Sequence, residues 1–181
     1  MEYISLEYIF FVTFTLFIIS FLFNLKQRNI IKDYQNNESS IVQNIFFDSI
    51  TDLPNKNNIE IIITEHINSA TRHNKSFYVL AIKALDYYNL KKDSNEKSDK
   101  LSVGIADAIL SSIRDEDTTA RVSEDEYIVV FNEYLEEKNH SIPIDRIKES
   151  LKNINVSYAT CSYPKDADST DSLIKSALTK L

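Results

Sequence analysis

The sequence predicts an α+β protein, with a central, mainly antiparallel sheet preceded by a long apolar helix. Three observations carry this. Residues 3–25 are apolar almost throughout. From residue 59 onward, helical stripes alternate with short strand-like runs. Two of those runs, 118–122 and 126–131, are separated by only a few polar residues, which is the pattern of a hairpin.

The elements follow in chain order. Tyr8 to Phe23 holds no charge and no proline, and the wider stretch from Tyr3 to Leu25 holds one acid, Glu7. A helix over it would be about 34 Å long at ~1.5 Å per residue, enough to cross a bilayer. Lys26, Arg28 and Lys32 follow, whereas only Glu2 and Glu7 accompany its N-terminal side. Residues 1–25 are therefore expected as a transmembrane helix with the N-terminus outside and the remainder cytoplasmic, a single pass through the inner membrane with the lipid bilayer as partner of residues 3–25. A cleaved signal peptide fits less well, because there is no basic start and no small-x-small cleavage site. Residues 26–47 carry scattered apolar positions, Ile30, Ile31, Ile41, Ile45 and Phe46. They read as a juxtamembrane helical stalk without a clean heptad, through which a homodimer would form.

Asp48 to Lys56 is rich in turn formers, and Ile59, Ile62, Ile63, Ile67 and Ala70 then recur at helical spacing. Residues 77–85 read as a central strand interrupted by Lys83, and residues 86–96 as a polar loop. Leu101, Ile105, Ala108, Ile109 and Ile113 form the next helical stripe. The hairpin follows. Ile144, Ile147 and Leu151 mark a helix with Pro143 in its first turn, residues 155–162 a strand, and Leu173, Ile174, Ala177, Leu178 and Leu181 a last helical face. After residue 76 the order is β-α-β-β-α-β-α. Its first six elements are the split-βαβ, ferredoxin-like order, an antiparallel sheet with helices packed on one side.

Composition excludes several chemistries. Net charge is −7, and residues 1–25 hold two acids and no base, so 25 acids face 20 bases in the rest. That argues against a nucleic-acid partner. The single glycine, Gly104, lies in a helical stripe, which excludes a P-loop or a dinucleotide fingerprint. One cysteine, Cys161, excludes a disulfide framework, and His66, His73 and His140 share no ligand spacing with it or with one another.

Four motifs in order then carry a resemblance. Asp48-x-Ile50-Thr51-x-Leu53-Pro54-Asn55-Lys56 resembles the D-x-L-T-G-L-P-N-R motif that opens GGDEF domains, with Asp52 at the glycine position. Arg121-Val122-Ser123-Glu124-Asp125-Glu126-Tyr127 resembles the signature R-x-G-G-D-E-F. Ser157 to Pro164 is similar to the S-I-G-V-A-x-Y-P strand, and Leu173 to Leu178 to the L-x-x-A-D-x-A helix. The resemblance spans residues 48–181 and implies a palm-type fold. The family condenses two GTP molecules into cyclic di-GMP, one per subunit of a dimer. It uses two divalent ions that neutralise triphosphate charge and activate the attacking 3′-hydroxyl.

Residue by residue, the resemblance implies a degenerate member. Asp125 and Glu126 keep the acids of the signature, but Ser123 and Glu124 replace its glycines, leaving Ser123, Glu124, Asp125, Glu126 and Tyr127 as a vestige. The D-x-D-x-F-K pattern falls on Lys83-Ala84-Leu85-Asp86-Tyr87-Tyr88, so Lys83 stands where a metal aspartate is expected. A cation ~4 Å from a divalent ion repels it by several kcal/mol at a protein surface. Lys83 is expected to pair with Asp125, the other reading being that it snorkels to solvent from the strand end. The guanine-contacting Asn falls near Leu90 or Lys91, Asp99 matches the second guanine-contacting acid, and the terminal A-K-x-x-G-R-N segment is not reached by Leu181. On this reading the domain is inactive, needs no cofactor, and would use magnesium or manganese, held by Asp125, only if active.

The family's product site, R-x-x-D, matches Arg114-Asp115-Glu116-Asp117 at the correct spacing to Arg121. Arg114, Asp117 and Arg121 would make the chain a cyclic di-GMP receptor, the arginine fork suiting phosphate and guanine and the carboxylate suiting guanine donors. The plainer reading is that Arg114 offsets a helix dipole and Asp117 starts a turn. Two alternatives stay open: an interaction or dimerisation module without nucleotide, and a residual diguanylate cyclase.

Overall fold

Strand β1 (Phe77–Ala84) lies inside the sheet, paired antiparallel to β3 (Glu126–Val130) on one side and β4 (Val156–Tyr163) on the other. β2 (Thr118–Arg121) pairs antiparallel with β3, giving the order β2-β3-β1-β4. The structure, a computed structural model, describes residues 11, 13–21, 23–28, 43–131 and 141–181, in two units, Met1–Gln43 and Asn44–Leu181.

After the helical turn at its start, the second unit holds five helices among its described residues: α1 (Lys56–His73), α2 (Tyr87–Asp93), α3 (Asn95–Leu110), α4 (Ser141–Ser150) and α5 (Thr170–Thr179). α1 starts where the Asn55 side chain accepts a hydrogen bond from the Asn58 amide at 3.2 Å. It ends at Asn74, left-handed at φ 52°, whose amide reaches back to the last turn. The α+β order read from the sequence is present, with one difference in layering. Helices cover both faces. Ile59, Ile63 and Ala70 of α1 and Leu173 and Ala177 of α5 pack on Phe77, Val79 and Ala81. Ile105 and Ile109 of α3 and Ile144 and Ile147 of α4 pack on Leu80 and Ile82 from the other side. Val79, Leu80, Ala81 and Ile82 are all fully buried, and each large side chain among them contributes roughly 1.5–3 kcal/mol by leaving water. The stretch expected as a polar loop contains α2. Its one buried residue is Tyr87, so there is no apolar stripe by which to recognise a helix.

In the N-terminal unit the described residues are helical, and the Phe17 and Phe21 rings stack 6.5 Å apart. The expected transmembrane helix is corrected. Crossing a bilayer takes about 20 consecutive apolar residues, and among the described residues no helix is long and apolar enough to do so. Residues 3–10, 12 and 22 of that expectation lie outside the described residues. The bilayer as partner of residues 3–25 and the single-pass inner-membrane location are withdrawn with it. The stalk expected at 26–47 is likewise unsupported: residues 29–42 lie outside the described ones, and residues 43–46 are a single helical turn. The supported fold class is the α+β domain with its antiparallel sheet.

Candidate active site at the signature hairpin

The site is built around Arg121, the last residue of β2, which is 4% exposed. Its Nη1 donates to Asp48 Oδ1 at 2.9 Å, and its Nη2 donates to Ser102 Oγ at 3.0 Å and to the Glu124 carbonyl at 2.6 Å. Nε donates to the same carbonyl at 3.2 Å, and the guanidinium lies 5.7 Å from the Tyr87 ring centre. The Arg121 amide donates to the Pro54 carbonyl at 2.9 Å. One side chain thus joins the opening loop, α3 and the hairpin turn. The loop itself is closed by Asp48, whose Oδ1 also accepts from the Thr51 amide at 2.9 Å and the Thr51 hydroxyl at 2.7 Å. Burial pushes the Asp48 carboxyl up, but the hydrogen bonds from Thr51 and Arg121 outweigh it and hold the group below its ordinary value. Asp52 has φ 55°, the left-handed region that explains a glycine at this place in the family motif.

Beyond Arg121 the chain turns through Ser123, Glu124 and Asp125. The Ala84 amide at the end of β1 donates to the Asp125 carbonyl at 2.8 Å, which fixes the turn against that strand. Lys83 stands directly opposite Glu126 in the ladder. Its ammonium is 2.7 Å from Glu126 Oε1 and 3.5 Å from Asp125 Oδ2. The hydrogen bond to Glu126 raises the Lys83 pKa against the opposing effect of burial, with further support from the Asp125 charge. Ser123 Oγ donates 3.2 Å to Asp125 Oδ1 and lies 3.2 Å from Glu126 Oε2. Glu124 forms an ion pair with Lys91 of α2, whose ammonium also lies 5.7 Å from the Tyr87 ring centre. A cavity of about 390 Å³ opens beside the hairpin, lined by Asp48, Lys56, Tyr87, Arg121, Ser123 and Glu124 among others.

The residues present do not fit the pair of divalent ions that the family chemistry uses. Asp125 and Glu126 already hold an ammonium, and among the described residues no group of three or more His, Cys, Asp or Glu side chains is placed to bind a metal. Of the other expected site residues, Asp99 lines a neighbouring depression of about 560 Å³ with Ser49, Glu96 and Lys100, and Ile50 borders both. Tyr127 is buried, its hydroxyl donating to the Ser102 carbonyl at 3.4 Å. Arg114 and Asp117 share the turn after α3: the Asp117 amide donates to the Arg114 carbonyl at 3.0 Å, and the Arg114 amide donates to Asp117 Oδ2 at 3.1 Å. Arg114 also lies 3.5 Å from Glu116. Arg121 does not join them at the surface, because its guanidinium is turned inward to Asp48, Ser102 and Glu124. Its place as a hub was not legible in the sequence. The only signal was a cation at the end of a short strand, its acid lying 73 positions away.

The family described as "Diguanylate cyclase, GGDEF domain" matches residues 45–181. The cyclic di-GMP phosphodiesterase NbdA of Pseudomonas aeruginosa is 22% identical over 166 residues, which is 85% of this chain and 21% of that protein; the chain spans about a fifth of this relative's length. Among solved structures, the GGDEF domain of TpbB (YfiN) from Pseudomonas aeruginosa is 23% identical with a TM-score of 0.67, covering 72% of this chain and 83% of that one. The coiled coil and GGDEF domain of DgcB from Caulobacter crescentus, in complex with c-di-GMP, is 11% identical with a TM-score of 0.72, covering 85% and 87%. At these identities the structures show the fold.

The comparisons correct the expectation of a catalytically inactive, membrane-anchored receptor. The matched family is that of the diguanylate cyclases, and the acids of the signature sit on a hairpin tied to the end of β1, so inactivity is not the reading they favour. With its elements in this order and a match running from residue 45 to the last residue, the chain belongs to the GGDEF family.

Proposed function

We propose that this domain serves cyclic di-GMP signalling as a diguanylate cyclase, condensing two GTP molecules into cyclic di-GMP. The observation that carries the reading is the hairpin itself: Asp125 and Glu126 share the Lys83 ammonium at the end of β1, and the residues just before them, Ser123 and Glu124, line a cavity large enough to admit part of a nucleotide. Family membership supports it, and one solved structure of similar fold, at 15% identity, is described as the diguanylate cyclase SiaD of Pseudomonas aeruginosa.

The reaction joins each 3′-oxygen to the α-phosphorus of the other nucleotide and expels two pyrophosphates. The groups we assign to it on this chain are Glu126, to take the hydroxyl proton, and two cations, Lys83 and Lys91, to meet phosphate charge. Because both cations are engaged by acids, turnover is slow. Each domain offers one such site, so two chains must meet for each product. Incubating the protein with GTP and magnesium or manganese, and resolving nucleotides by chromatography, tests this. Cyclic di-GMP accumulates if the reading holds, and GTP that stays intact through a long incubation refutes it.

Arg114 and Asp117 support a second role, holding the product. They stay adjacent on an exposed turn, with the Arg114 side chain 49% exposed. Calorimetric titration with cyclic di-GMP should give heat that Arg114→Ala removes, and an unchanged titration in that variant would reject the assignment.

A further inference from the structure

Asp125 is the most deeply placed acid of the hairpin, its side chain 5% exposed, and Glu126 is next at 19%. Carboxylates so placed need a counter-charge. They receive it from a cation that is part of the chain. The Lys83 ammonium bridges the two, 2.7 Å from one and 3.5 Å from the other, while its side chain remains 36% exposed. The ammonium is therefore more open to solvent than either acid it holds. Ser123 Oγ, at 3.2 Å from an oxygen of each acid, joins them on the hairpin side. A cation bridging two carboxylates is the arrangement a divalent ion would make, and here β1 supplies it through the register that sets Lys83 against Glu126. An ammonium carries three donors and no acceptor, so it can bind a phosphate oxygen while still holding an acid.

We infer that Lys83 is a resident cation of this site. It takes the place of a protein-bound divalent ion and presents its charge directly to the phosphates of an entering guanine nucleotide. The inference rests on the guanine-nucleotide reading above and adds the means by which phosphate is met. One consequence does not depend on nucleotide: Asp125 and Glu126 bind no divalent ion of their own. A second is that Lys83→Asp brings three carboxylates together, a set that hard cations accept along with water.

The test uses the full chain. Manganese is titrated without nucleotide and followed by electron paramagnetic resonance, and GTP affinity is measured by calorimetry in magnesium buffer. Wild type should leave the free-manganese signal unchanged, while Lys83→Asp should bind manganese at least about tenfold more tightly, since the repelling charge is gone and a ligand is gained. Lys83→Met, which adds no charge, covers the case in which the aspartate variant does not fold, and should gain manganese affinity in the same direction. For GTP, Lys83→Met should weaken binding about tenfold and Lys83→Arg should hold it within about threefold, as a charge-assisted hydrogen bond predicts. Manganese bound by wild type as tightly as by the variants overturns the resident cation. So does GTP affinity unchanged in Lys83→Met. Absence of GTP binding in every protein refutes the nucleotide reading instead, and the manganese titration still decides what occupies the acids.

Discussion

Replacing Arg121 by methionine keeps most of the buried stem and removes the guanidinium. Wild-type Arg121 satisfies Asp48, Ser102 and the Glu124 carbonyl through four contacts of 2.6–3.2 Å. A charge-assisted hydrogen bond is worth about 1.5–3 kcal/mol, and the contacts act as a unit, so they do not sum. Breaking a buried pair by removing one partner costs about 3–5 kcal/mol. Asp48 is 22% exposed at the side chain and recovers some water, which places the cost near the lower end, about 3 kcal/mol. For a domain of this size each kcal/mol shifts the melting temperature by about 3 °C, so Arg121→Met should melt about 9 °C lower. Circular dichroism during heating reads this. Asp48→Asn, which keeps the Thr51 contacts, should cost less, and the double variant should cost less than the two singles together. A fall smaller than about 3 °C in Arg121→Met, or strict additivity with Asp48→Asn, would show that Arg121 does not organise the site.

Further outcomes follow from other places in the domain. Asp166 is held at about 2, below its ordinary 3.8, by the Lys180 hydrogen bond and then by the amide and hydroxyl of Ser162. Its folded pKa is depressed, so its stabilisation is complete above about pH 4 and is lost as pH falls toward about 2. Because Asp166 and Lys180 are 30% and 44% exposed, the loss is screened to about 1 kcal/mol. Asp166→Asn should flatten that part of the acid melting curve, and an unchanged acid limb would reject the assignment. Asp52, at φ 55°, should accept glycine with little change in melting temperature, whereas Asp52→Val should cost about 1–2 kcal/mol. Equal melting of the two variants would count against strain at that turn.

How much was legible in the sequence depended on how many residues carried each signal. β1 announced itself through a continuous apolar run, and its four consecutive buried residues were also the sign of a strand covered on both faces, a sign outweighed by the expectation of helices on one side. α2 shows one buried residue, Tyr87, and offers no period to read. The motifs placed the hairpin acids, and Lys83 stands beside Asp125 at 3.5 Å. That Glu126 is the nearer partner is a matter of strand register, which single-chain spacing does not specify. Arg121 resembled a ligand contact because its motif neighbours do; only tertiary packing shows it turned inward on Asp48. The N-terminal expectation rested on composition over residues 3–25, and composition does not establish a spanning helix.

Nucleotide products from wild type, Asp125→Asn and Glu126→Gln, formed under identical conditions and with the dinucleotide identified by mass, test whether the hairpin acids make cyclic di-GMP. The proposed function predicts slow formation of cyclic di-GMP by wild type and a rate near background in both variants. Equal product from all three, or none from wild type at any magnesium or manganese concentration, would contradict it.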